Sequence, residues 1–278
     1  MSVPVRFYVQ YFLHLLRARS RYHVHSPWVY ELIEQALRHP TFDPSCIPIE
    51  QLRRQLLRDR RTIRIQDYGA GSHIHKRDIR SIQSLARHAA KPPVLARILF
   101  QLCRMLQPAM VIELGTSLGI TTAYLAKAAP QAHLITVEGS ESIAQEATKN
   151  FQQLRLQHIQ LMPSTFEEAI PAILSQLQHP FLLFVDGDHR YETTLQYVQA
   201  FLPYLHHDSC IVMDDIHWSR GMAKAWETLL SDQRVNLSID LFFLGMLFNR
   251  NGRFQPEHFR LRYPALLSWF QTTLNPLG

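Results

Sequence analysis

With 278 residues, 46% hydrophobic and 19% charged, the chain is long enough to bury a sizeable core and too apolar for a disordered linker. No apolar run reaches the roughly 18 to 20 residues of a membrane-spanning helix, so a span is excluded. The 29 Lys and Arg against 23 Asp and Glu leave +6, unevenly placed: Arg6, Arg17, Arg19 and Arg21 precede the first acid, Glu31. A basic end of this kind meets nucleic acid, a membrane surface or an acidic substrate, or is simply a solvated helix face docked on the rest. Gln10 and His14 interrupt any secretory core. Cys46, Cys103 and Cys210 show no metal-ligand spacing, which predicts reduced structural thiols in a cytoplasmic protein.

In chain order, Tyr8, Phe12, Leu15 and Leu16 fall at helical spacing and predict a helix with that face buried. "HSPWVYELIEQAL" predicts a second helix with Ser26 as its cap and Pro27 in its first turn. "IEQLRRQLLRDR" and "KPPVLARILFQLCRML" predict two more, the latter with Leu95, Ile98, Leu99, Leu102 and Leu106 on one side. After Gln107 the strand candidates "MVIEL", "HLITVE", "HIQLM", "FLLFVD" and "CIVMD" alternate with helices beginning near Leu118, Glu141, Phe166, Glu192 and Gly221. That rhythm predicts a parallel sheet with crossover helices. "VNLSIDLFFLGMLFNRNG" holds two strands with too short a link for a helix, so an antiparallel pair should close the sheet. The expected division is a helical cap over 1–90 and a second domain over 91–278.

Two glycine stretches compete for a ligand. "VIELGTSLGITTAYLA" puts Glu113, Gly115 and Gly119 at the end of the first strand of the sheet, and Glu138 ends the next strand 19 residues after Gly119. Glycine lets the backbone approach a ligand, and an acid at that second position can accept hydrogen bonds from both ribose hydroxyls of an adenosine. "DYGAGS", with Gly69 and Gly71, is followed by no strand ending in an acid. It reads as a tight turn or loop, with Ser72, His73, His75, Lys76 and Arg77 in reach of a polar or anionic substrate, or as a solvated connection.

Through "VIELGTSLGITTAYLA", "LITVEGS", "FVDGDHRYETTLQYV" and "IVMDDIHW" the chain resembles the class I S-adenosylmethionine-dependent methyltransferases. Within them it is most similar to the small-molecule O-methyltransferases related to the catechol and caffeoyl-coenzyme A enzymes, and its N-terminal helices resemble those of a bacterial subgroup. The resemblance covers roughly residues 91–249. It implies a doubly wound, mostly parallel seven-stranded Rossmann-like α/β sheet with an antiparallel last strand and an N-terminal helical extension. It implies S-adenosylmethionine as cofactor, with Glu113, Gly115, Thr116, Ser117, Gly119 and Thr121 near its methionine end and Glu138 and Gly139 at its ribose. Ser164 and Thr165 stand where the family often has Gly-Asp beside the adenine. Asp186 lies at the next strand end, by the cofactor and the acceptor.

Strands ending in Asp186 and in Asp214 and Asp215 should lie side by side, bringing three carboxylates together. Three oxygen donors suit Mg²⁺ or another divalent cation, and clustered carboxylates repel unless a cation or proton relieves them. The family's pattern is Asp, then Asp-Asn, so Asp215 replaces an amide by a charge. The competing reading has Asp214 and Asp215 capping the next helix, as Asp188 is expected to do for its own. His189 follows Asp186 by three residues, where the relatives carry a lysine thought to take the acceptor's proton, and an imidazole is a suitable base near neutrality. His217 is a second candidate. The expected activity is metal-assisted O-methylation of a small hydroxylated acceptor. The alternatives are methylation of RNA and cofactor binding without catalysis, and a homodimer stays open.

Overall fold

The computed structural model of the protein describes residues 5–19, 24–37, 42–65, 78–89, 91–250 and 255–262. The β-branched runs after Gln107 form β3 (Met110–Leu114), β4 (His133–Glu138), β5 (Ile159–Pro163), β6 (Phe181–Val185) and β7 (Cys210–Asp214), following a short hairpin of β1 (Thr62–Ile65) and β2 (Asp78–Ser81). β8 (Leu237–Asp240), β9 (Leu244–Phe248) and β10 (Glu257–Arg260) complete an eight-stranded sheet of order β10-β8-β9-β7-β6-β3-β4-β5. β3 to β7 pair in parallel, whereas β9 runs antiparallel to both β7 and β8. β3, β6 and β7 are buried along their whole length, as strands covered on both faces must be.

The expected antiparallel pair is β8 and β9. The sheet carries one strand more than the seven expected, because β10 joins the edge parallel to β8. Only Phe259 of β10 is buried, which is too little apolar pattern to announce a strand. "DYGAGS" lies outside the described residues.

Alternate residues of each strand serve opposite faces. Val111, Leu182 and Val212 join one apolar layer with α5 (Pro93–Leu106), α6 (Ile120–Ala128) and α7 (Glu141–Gln153). Ile112, Leu183 and Met213 join the other, with α8 (Phe166–Leu174), α9 (Tyr191–Phe201) and α10 (Arg220–Leu230). The first layer continues without a break into the N-terminal helices, through Val29 and Leu32 of α2 (Pro27–Leu32) and Ile49 and Leu52 of α3 (Ile47–Leu56). Ser26 does cap α2, its hydroxyl accepting from the Val29 N–H at 3.4 Å with Pro27 opening the helix.

α1 (Val5–Arg17) is helical, yet its buried face is rotated from the one expected, with Leu15 still packed against the core and Tyr8 half-buried. Phe7, Tyr11 and His14 point inward, while Phe12 and Leu16 are 61% and 62% exposed. Apolar residues cover a wide arc of this helix, with Arg6, Gln10 and Arg17 together on the remainder, so spacing alone leaves the centre of the buried face open. The choice is made by aromatic edges of Phe242 and Phe243, which meet Phe7 at 5.1 and 5.7 Å and Tyr11 at 4.8 and 6.2 Å.

Candidate active site

The chain leaves β3 for β4 and β5 on one side and returns to β6 and β7 on the other, so the loops after β3 and β6 diverge. A crevice at the carboxyl ends of the strands is the consequence. It has a volume of about 400 Å³ and lies between the strand ends and residues before α5, among them Ile65, Leu85, His88 and Lys91. α4 (Ile82–Ala89) supplies Leu85 and His88.

Gly115 turns at φ 113°, in the left-handed half of backbone space, where a side chain is strained. A Cβ there would stand 2.1 Å from the Asp186 carbonyl oxygen. The close approach lets the Asp186 N–H donate to the Leu114 carbonyl at 2.8 Å and the Gly115 N–H to the Val137 carbonyl at 3.0 Å. Three strand ends are thereby held together. Gly119, at φ 77°, opens α6 against the ring of Phe151.

Glu138 ends β4 at the crevice. One carboxylate oxygen accepts the Ser117 N–H at 2.9 Å and the other the Ser140 N–H at 3.0 Å. Gly139, Ser164, Thr165 and Phe166 continue this wall. The Thr165 hydroxyl is engaged in a capping box with Glu168 at the start of α8. The Ser164 hydroxyl is buried with no hydrogen-bond partner among the described residues, so it is open to a ligand.

Glu113 lies below the crevice, fully buried, accepting from the Thr136 hydroxyl at 2.6 Å and from Thr122. Burial pushes its pKa up to about 8, against the pull of the two threonines. Thr116 is buried beside it and shares a hydroxyl contact of 2.6 Å with Thr136. Thr121, on α6, borders a smaller recess with Gly115, Thr116 and Ser117. Of the sequence-derived cofactor residues, then, Gly115, Ser117, Glu138, Gly139, Ser164, Thr165 and Asp186 border the main crevice.

β6 and β7 do lie side by side and bring Asp186 and Asp214 together, with Asp215 next in the chain at φ 53°. A residue that sequence reasoning passed over stands between them. The Lys91 ammonium is 2.9 Å from Asp186 Oδ1 and also donates to Asp214 Oδ2. Burial acts to lower the lysine pKa, but the fields of Asp186, Asp214 and Asp215 outweigh it and raise it, so the side chain stays charged. Burial in turn raises the pKa of Asp186 and Asp214, and Lys91 opposes it. Lys91 carries no motif; only a fold that seats the start of α5 over the sheet brings it to positions 186 and 214.

The capping alternative is corrected. Ser219 caps α10, accepting from the Met222 N–H at 3.0 Å, so neither Asp214 nor Asp215 is needed there. Asp188 does not cap α9 either. Its carboxylate pairs with the Arg190 side chain at 2.6 and 2.7 Å. His189 lines the crevice, partly exposed, with Nε2 4.0 Å from Asp186 Oδ1. His217 instead pairs with Asp240 at 2.9 Å and stacks on Phe242. It does not line the crevice.

Residues 112–216 match a family model described as a methyltransferase domain. Among solved structures the chain is similar to a Podospora anserina methyltransferase with bound S-adenosylhomocysteine, at 13% identity and a TM-score of 0.56 over 81% of this chain and 94% of that one. A Bacillus cereus O-methyltransferase, also with S-adenosylhomocysteine, aligns at 16% identity and a TM-score of 0.54 over 80% and 97%. The Streptomyces achromogenes O-methyltransferase TomG, solved with S-adenosylmethionine and involved in tomaymycin synthesis, gives 18%, 0.51, 59% and 82%. No curated protein sequence matches the chain. Residues 112–216 thus match a methyltransferase domain, and the chain has the Rossmann-like fold of the solved structures it is similar to.

Proposed function

We propose that the crevice binds S-adenosylmethionine and that the protein transfers its methyl group to a hydroxyl of a small acceptor. The observation that carries this reading is the meeting, on one crevice, of the Glu138 carboxylate, the unpartnered Ser164 hydroxyl and the Asp186–His189 pair. Each Glu138 oxygen accepts a backbone N–H, which fixes the carboxylate at the crevice wall where a ribose hydroxyl can donate to it. Ser164 and Phe166 border the adenine, and Ser117 and Gly115 the methionine end. The cofactor supplies a methyl group on a sulfonium, which departs as a neutral thioether. The chain's part is to hold the acceptor oxygen in line and to take its proton at His189 Nε2.

A divalent ion among Asp186, Asp214 and Asp215 is the finer form suggested by the sequence. Asp186, His189 and Asp214 present ligand atoms within 4.8 Å of one another, but Lys91 already pairs the two carboxylates and competes with an ion for them. No step here passes through a metal.

Residues 1–90 act in this reading as a cap over the acceptor side and 91–278 as the methyltransferase domain, because Ile65, Arg80, Leu85 and His88 border the same crevice. One chain supplies every group invoked, so neither an RNA nor a second copy is required. A cytoplasmic setting accords with three unpaired, buried cysteines. No helix among the described residues is long and apolar enough to cross a membrane.

Calorimetry with S-adenosylhomocysteine tests the assignment. Glu138→Ala should weaken binding by about ten-fold or more, since a hydrogen bond to a charged group contributes about 1.5–3 kcal/mol. Unchanged affinity would put the adenosine elsewhere. Once a phenolic or sugar acceptor is found by screening, His189→Ala should slow turnover by about 100-fold at unchanged cofactor affinity. Full turnover in that variant would remove the proton from His189.

A further inference from the structure

We infer that Lys91 is the resident cation of this site, standing where a divalent ion would otherwise be held, so that the protein works without a metal. The inference rests on the methyl-transfer reading above and concerns the acceptor end of the same crevice.

The geometry is the first ground. Lys91 Nζ lies 2.9 Å from Asp186 Oδ1 and is hydrogen bonded to Asp214 Oδ2. A magnesium ion sits about 2.1 Å from each carboxylate oxygen it binds. Any such ion on Asp186 Oδ1 would therefore lie within about 5 Å of the ammonium. There the two cations repel in a site from which water is largely excluded. Lys91 and a divalent ion therefore compete for Asp186 Oδ1 and Asp214 Oδ2.

The lysine is also built in. Its side chain is 12% exposed and that of Asp214 only 1%. Its carbonyl accepts from the Arg53 guanidinium at 2.7 Å, and Arg53, itself buried, is held by Glu50 at 2.9 Å. Glu50 in turn accepts the Tyr124 hydroxyl at 2.7 Å. A chain of contacts from α6 through α3 thus holds the main chain of Lys91, two residues before α5 begins. A surface lysine that had merely swung inward would have no such support.

The donors of the ammonium are a further ground. Asp186, Asp214 and Asp215 bring three negative charges to one rim, and Lys91 and the partly exposed His189 are the basic groups facing them. An ammonium offers three donors. Two are spent on Asp186 and Asp214, and the third is available to the crevice that Lys91 lines. A fixed N–H of this kind can meet an acceptor oxygen as negative charge develops on it, the task a metal ion performs elsewhere.

The test uses the full chain loaded with S-adenosylhomocysteine and titrated with Mn²⁺ alone, followed by calorimetry and by the electron-spin signal of free Mn²⁺. The wild type should show no site at millimolar Mn²⁺, and turnover of any working acceptor should be unchanged in excess chelator. Lys91→Met removes the charge at similar length. It should create a Mn²⁺ site, at least ten-fold tighter than any in the wild type, that Asp214→Asn in the same chain removes. Should Lys91→Met fail to fold, the wild-type titration and chelator assay decide by themselves. A stoichiometric Mn²⁺ site in the wild type that Asp214→Asn abolishes, or loss of turnover in chelator restored by Mg²⁺, would overturn the inference while leaving the cofactor site intact. Failure of the wild type to take up S-adenosylhomocysteine at all would overturn the reading beneath it instead.

Discussion

Two acidic rims of one sheet are treated in opposite ways. At the end of β4, Glu138 is satisfied by backbone N–H groups two residues ahead and 21 residues behind, both in the turns that any chain of this topology makes. At the ends of β6 and β7, Asp186 and Asp214 each accept from the side chain of residue 91, and Asp214 Oδ1 is buried with no hydrogen-bond partner among the described residues. The first arrangement leaves a carboxylate oriented and still able to accept. The second neutralises its carboxylates in place. Acids at strand ends are therefore not interchangeable evidence for a ligand; their partner decides whether they bind one.

The largest effect should come from breaking the second rim. Lys91→Ala leaves two buried carboxylates without their cation, and removal of one partner of a buried pair costs about 3–5 kcal/mol. Chemical denaturation of the Lys91 variant should show that loss, and an unchanged midpoint would mean that the pair is not buried in solution. Gly115→Ala strikes the junction of the two rims, where its Cβ would meet the Asp186 carbonyl at a strained φ. It should cost about 2–4 kcal/mol and abolish measurable S-adenosylhomocysteine binding. A stable variant with wild-type affinity would separate the junction from the cofactor site.

Glu138→Ala sharpens the contrast, because it should weaken the cofactor about ten-fold or more while lowering stability by only about 1 kcal/mol. A loss of stability as large as that of the Lys91 variant would erase the difference between the rims.

A pH-dependent effect concerns Glu113, below both rims. Its pKa rises in the folded state from 4.5 to about 8 through burial, so the native chain keeps a proton there that the unfolded chain releases. Its contribution is fully present below about pH 4.5 and is lost as pH rises through the folded value near 8. Glu113→Gln cannot titrate and should show a shallower fall in stability over that window. Parallel stability curves for the two proteins would contradict the protonated state.

Much of the sheet domain was legible because its signals are local. "MVIEL", "HLITVE" and "FLLFVD" are long enough in β-branched and apolar residues to declare buried strands, and Ser26-Pro27 declares a helix start through its own backbone. Gly115 and Glu138 could be assigned to one crevice because their separation is that of one βα unit. The buried face of α1 is not legible, since a helix with a wide apolar arc takes its direction from Phe242 and Phe243, more than 220 residues away. The role of Asp188 is not legible either, because an acid before a helix can cap it or pair with a neighbouring arginine, and the φ of 48° at Asp188 and the reach of Arg190 decide which.

The sequence by itself determined the strand and helix rhythm, the glycine turn after β3 and the convergence of acids at the strand ends. These depend on period, on backbone freedom and on the handedness of parallel crossovers, all carried by neighbouring residues. Tertiary structure alone decided what neutralises the acids. Lys91 is 95 residues from Asp186 and 123 from Asp214, and a charge that far along the chain acts only where packing of α3, α5 and α6 has brought it within hydrogen-bond distance, because Coulomb attraction depends on separation in space and on the exclusion of water.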